Sequence, residues 1–94
     1  MAFVGYAIYD IHVPNVHSLK EKRFVVRSVK DRIAQKFNVA VSETGHLDKW
    51  QRCELAVASV AGERRSVERT LDGVRSLLDG EPELRVISDE TDIL

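Results

Sequence analysis

Several residue types are scarce in this 94-residue chain, and each shortage excludes something. A single cysteine, Cys53, rules out an internal disulfide framework and suits a reducing compartment, so a cytoplasmic location is expected. No apolar run approaches the length of a membrane span, and the apolar start Met1 to Asp10 lacks a basic leader and a small-residue cleavage pattern. It reads as a strand rather than a signal peptide. Asn and Gln are confined to Asn15, Gln35, Asn38 and Gln51, a bias associated with thermophilic proteins. The five glycines nowhere space themselves as a phosphate-cradling loop. No nucleophile–base pair stands out, and the histidines have no closely spaced further ligands, so neither a catalytic set nor a metal site is assigned and no cofactor is implied.

What is present is a globular composition, 44% hydrophobic and 31% charged, enough for one domain with a modest core. The net charge of −1 hides an asymmetry. Residues 1–52 hold nine Lys/Arg against five Asp/Glu, and residues 53–94 hold five against ten. A basic half can bind polyanions locally even in a neutral protein.

Phe3 to Val13, rich in Val, Ile and Tyr, reads as a strand ended by Pro14-Asn15. Ser18 with Glu21 three residues on is a capping box, so a helix is expected from Leu19 to about Phe37. Leu19, Val26, Val29, Ile33 and Phe37 form its core stripe. Asn38 to Glu43 and Arg52 to Ala61 read as a hairpin around Thr44 to Gln51. A second helix is expected from about Glu63 to Leu78, with Val67, Leu71, Val74 and Leu78 buried. Gly73 within it permits close packing, and Gly80 and Pro82 end it. Leu84 to Ser88 is the last strand, and Asp89 to Leu94 either continues it or forms a tail.

The order βαββαβ implies an α+β, ferredoxin-like domain over residues 1–94. It has a four-stranded antiparallel sheet in the order 4-1-3-2 with both helices on one face. That topology brings the segments Pro14–Ser18, Thr44–Gln51 and Asp79–Glu83 to one edge. There the candidate anion-binding residues meet: His17, Lys20, Lys22 and Arg23 from the first segment and helix start, Lys49, Trp50 and Arg52 from the second. Cations in a first helical turn oppose the helix dipole, which marks the place as a candidate site for an anion. The competing reading is a solvated face neutralised by Glu21 or by the acidic third segment. Trp50 either stacks on a ligand or packs the hairpin. Lys20, Arg23, Arg27 and Lys30 form a stripe on the first helix with Phe24 further out, a pattern suited to nucleic acid or a subunit contact.

The first and third strands are apolar on both faces, which calls for a partner on the open side, most simply a second copy. The third strand has no aromatics, against base stacking on the sheet.

The stretch His17-Ser18-Leu19-Lys20-Glu21-Lys22-Arg23, then Val25-Val26 and Ser28, then Lys36-Phe37-Asn38-Val39-Ala40-Val41 and Trp50-Gln51-Arg52, resembles the YlxP-like family of small bacterial proteins of unknown function. The similarity runs from about Phe3 to Leu78. Phe24 and Gly62 depart from it by standing where polar residues are expected. The resemblance implies a ferredoxin-like fold. Because family members are often encoded beside translation-initiation and ribosome-maturation genes, it also implies a role near the ribosome. Three functions follow as expectations. The first is a non-catalytic binder of ribosomal or other structured RNA, through His17, Lys20, Lys22, Arg23, Arg27, Lys49, Trp50 and Arg52. The second is a homo-oligomeric regulatory module for a small anionic metabolite. The third, an enzyme, has no residue set behind it.

Overall fold

The structure, a computed structural model, describes residues 1–94. The chain runs β1 (Phe3–His12), α1 (Leu19–Lys36), β2 (Val39–Gly45), β3 (Arg52–Ala61), α2 (Arg64–Asp79) and β4 (Arg85–Ile93). The four strands pair antiparallel in the order β2-β3-β1-β4, the expected 4-1-3-2 arrangement read from the other side. The acidic end of the chain continues β4 as far as Ile93, where it hydrogen-bonds along β1 in register with Gly5.

Strand alternation divides the sheet. Ala7, Tyr9, Ile11 and Val13 of the β1 segment and Cys53, Leu55 and Val57 of β3 are buried under the helices. They pack against Val25, Val26, Val29 and Ile33 of α1 and Val67, Leu71, Val74 and Leu78 of α2 in one core. Two glycines allow the layers to approach. A Cβ on Gly5 would fall 2.5 Å from Val67 Cγ1, and one on Gly73 would fall 2.6 Å from the Phe37 ring. The close approach expected at Gly73 is thus the seating of Phe37 on α2. Two details of α1 differ from expectation. Leu19 is only half-buried, and the fully buried residue of the first turns is Lys22.

Besides Lys22, two members of the hydrophobic core itself are ionisable. Burial, reinforced by Glu43, pushes the Cys53 thiol up to about 12. Burial, reinforced by Asp89, likewise pushes the Tyr9 hydroxyl up to about 12. In the unfolded chain the two ionise near their ordinary values of 9.0 and 10.0. The unfolded state therefore loses protons first. Stability is intact below about pH 9 and falls as pH rises toward 12, by on the order of 1.4 kcal/mol per pH unit for each group. Thermal melts across this range check it. Cys53→Val should move the onset of the decline up to about pH 10, and an unchanged onset would refute the role of the thiol.

Candidate functional site

The first helix begins at the expected cap, with Glu21 reaching back one residue beyond it, to His17 rather than to the Ser18 N–H. Ser18 Oγ accepts the Glu21 backbone N–H at 3.1 Å, and Glu21 Oε2 accepts the His17 backbone N–H at 2.8 Å and the Ser18 hydroxyl at 3.3 Å. Glu21 therefore supplies a negative charge to the helix start from within the chain, and the opening there for an outside anion is smaller than the motif suggests.

Lys22 is not on the surface. Its side chain is wholly buried, with Nζ donating to the carbonyls of His46 at 2.9 Å, Arg52 at 3.2 Å and Leu47 at 3.5 Å. Glu43 Oε2, a buried oxygen with no other polar partner, lies 3.0 Å from the same nitrogen. The expectation that Lys22 contacts phosphate is therefore corrected: its ammonium is spent on holding the β2–β3 loop against α1. That loop reverses through His46, whose φ of 57° is left-handed, a conformation in which His is enriched. The His46 carbonyl also accepts the Lys49 backbone N–H. Gln51 ties the loop from the other side, its Nε2 donating to the carbonyls of Pro14 at 3.0 Å and Val16 at 3.1 Å.

Arg52 is likewise engaged. Its guanidinium grips the Asp10 carboxylate with two bonds, Nε to Oδ1 at 3.3 Å and Nη2 to Oδ2 at 2.6 Å. His46 Nε2 lies 3.5 Å from Asp10 Oδ1. The Arg52 hydrogen bond, with the charges of Arg52 and His46, holds the Asp10 carboxyl below the usual carboxylate value. In register Arg52 opposes His12 and neighbours buried Cys53, so its side chain stands on the sheet face away from the helices. It does not share a surface with α1, and this part of the expected basic edge is corrected too.

What remains exposed forms two places. Lys49 and half-exposed Trp50 stand on the β2–β3 loop beside exposed Leu47. On α1, Lys20, Arg23 and Arg27 are exposed around Phe24, which is 75% exposed. None of the three cations has an ion-pair partner, nor does half-buried Lys30 behind them. The acidic α2–β4 loop, which reaches α1, neutralises a different residue: Glu81 pairs with Arg32 at 2.6 Å. Lys20, Arg23, Phe24 and Arg27 line one surface groove of about 450 Å³. On the other side of Phe24, a groove of about 430 Å³ is walled by Asn15, Val16, Glu21, Val25 and Glu83 and shares Lys20 with the first. His17, exposed, stands just before the helix start.

The family model described as a protein of unknown function, DUF503, matches residues 4–91. The chain belongs to the DUF503 family. A relative from Bacillus subtilis (strain 168), "Uncharacterized protein YlxP", is 37% identical over 81 residues, covering 86% of this chain and 88% of the relative. Among solved structures, SnoaB, described as a cofactor-independent oxygenase from Streptomyces nogalater, aligns with a TM-score of 0.48 and 14% identity over all of this chain and 92% of its own.

For this DUF503 chain the two motif stretches thus divide between architecture and surface. Lys22 and Gln51 lash the β2–β3 loop to the β1–α1 loop and helix start, while Lys20, Arg23, Lys49 and Trp50 stay exposed. Asp10, Glu43 and the His46 carbonyl were absent from the sequence-based candidates. A signal for the Lys22–Glu43 pair does exist. Lys22 is one turn before Val26 and two before Val29, on the apolar stripe of α1, and Glu43 alternates with Val39 and Val41 on the helix-facing side of β2. Opposite charges on the helix-facing stripe of β2 and the sheet-facing stripe of α1 predict each other. No comparable signal announces that Asp10 meets Arg52, because that pairing depends on β1–β3 register.

Proposed function

We propose that this protein is a non-catalytic binder of RNA, recognising phosphates through Lys20, Arg23 and Arg27 of α1. The observation behind the reading is that these three cations are exposed, lack any carboxylate partner, and surround an exposed aromatic ring. Cations held a helical turn apart without counter-ions are a surface prepared for a polyanion, and an aromatic among them fits nucleic acid better than a free phosphate. His17 stands exposed just before the helix as a further hydrogen-bonding group, and Lys49 adds a second exposed cation on the β2–β3 loop, with Trp50 beside it as a natural reporter. Ribosomal RNA is the first candidate class, following the family resemblance. The test is a titration with ribosomal RNA fragments, followed by Trp50 fluorescence and by retention on immobilised RNA, at low and high salt. Saturable, salt-sensitive binding is expected. Absence of binding by both measurements at low salt would overturn the reading.

A second feature, self-association, is favoured by the open sheet face. Val4 and Val60 are exposed there, and Tyr6, Ile8, Ala40, Ala56 and Ala58 join them in a shallow apolar surface. The three strands that carry it, about 4.8 Å apart and about 25–30 Å long, present roughly 400 Å², with Glu90 and Asp92 of β4 along one side. Two copies face to face would bury about 800 Å², the size of a weak, concentration-dependent contact. We therefore propose a second copy of this chain as the occupant. Sedimentation velocity over a range of concentrations should show a dimer that Ala58→Asp dissociates. A monomer at every concentration would refute it.

A further inference from the structure

The two grooves beside Phe24 refine the RNA reading, on which this inference rests. A surface built only for a duplex backbone needs cations; it has no use for a phenyl ring standing 75% exposed among them. Phe24 divides two depressions of unlike character. One is lined by Lys20, Arg23 and Arg27 and is cationic. The other has an apolar floor of Val16 and Val25, with Asn15 and the carboxylates of Glu21 and Glu83 at its wall as acceptors for a base's N–H edge. Lys20 borders both. A nucleotide has the same division: a charged phosphate and a flat base with an apolar face and a polar edge. A base paired inside a helix cannot offer its face to a side chain, whereas an unpaired one can.

We infer that α1 binds an unpaired nucleotide of single-stranded or looped RNA. The base stacks on Phe24 over Val16 and Val25, and the phosphates on either side of it lie on Lys20, Arg23 and Arg27. Val25 and Val16 are buried and fixed in the core, so the floor is already formed before ligand arrives. Lys22, buried on the core face of the same helix, anchors α1 to the β2–β3 loop.

The test compares a fluorescently labelled 12-nucleotide single strand with the same sequence in a blunt duplex. Both are titrated by anisotropy against the wild type, Phe24→Ala, Phe24→Trp and a Lys20→Ala/Arg23→Ala/Arg27→Ala variant. Phe24 is exposed, so its variants should melt with the wild type, and melts accompany the titrations. The single strand should bind more tightly than the duplex. Phe24→Ala should weaken the single strand by about 5- to 150-fold and leave the duplex and the salt dependence unchanged, while Phe24→Trp keeps the affinity. If RNA binds and the triple variant loses it, but Phe24→Ala changes neither form by more than about twofold, the stacking inference fails and the RNA reading stands. If neither RNA binds, both fail and the face passes to an acidic protein partner.

Discussion

Lys22→Met should destabilise the protein by about 3–5 kcal/mol, the largest effect expected of any single substitution here. Methionine keeps the length and apolar stem of lysine, so little packing is lost. What goes is the ammonium, and with it the only partner of the buried Glu43 oxygen and a hydrogen-bond donor to the loop carbonyls of His46 and Leu47 and to that of Arg52 at the start of β3. Leaving the buried Oε2 of that largely covered carboxylate without its cation is the costly part. For a chain of this size about 3–5 kcal/mol corresponds to a fall in Tm of well over about 10 °C, readily read by calorimetry or circular dichroism. Lys22→Met/Glu43→Leu should recover part of the loss by removing the orphaned charge. It should not recover all of it, since the Leu47 and Arg52 carbonyls remain without the lysine; His46 retains Lys49 N–H. If Lys22→Met melts within about 2 °C of the wild type, Lys22 is not the buried staple described above.

The second large effect concerns binding. The Lys20→Ala/Arg23→Ala/Arg27→Ala variant should keep its fold, because all three side chains are exposed and unpaired, yet lose RNA affinity about tenfold or more at low salt. The diagnostic quantity is the salt dependence. Each phosphate neutralised on a single strand contributes roughly 0.7 to the slope of log K against log salt, so removing three contacts should flatten the slope by about 2. Arg52→Ala is the discriminating control. Arg52 is bound to Asp10 on the opposite side of the sheet and should leave the slope unchanged. A slope unmoved in the triple variant but flattened by Arg52→Ala would shift the binding surface from α1 to the sheet.

The contrast between Lys22 and Arg23 shows how two adjacent cations of one motif part company. Both lie in the first turns of α1, and both look like misplaced charges beside a positive helix end. Three-dimensional packing separates them: Lys22 points into the β2–β3 loop and Arg23 into solvent. The same holds for Trp50-Gln51-Arg52, of which Trp50 is half-exposed, Gln51 stitches two loops and Arg52 crosses to the other sheet face.

Local chemistry was sufficient for the elements and their order. The capping box set the start of α1, and period-3.6 and period-2 apolar patterns marked helices and strands. The βαββαβ order with right-handed crossovers left essentially one sheet arrangement. These features depend on neighbours within a few residues or on general rules of chirality. The partners of individual charges do not. Whether Lys22 meets phosphate or Glu43, and whether Arg52 meets solvent or Asp10, depends on residues about 20 to 40 positions away, brought close by strand register and by the β2–β3 loop folding over α1. A charge tolerates burial only where a partner and hydrogen-bond acceptors are already held in place, and only the tertiary structure supplies them.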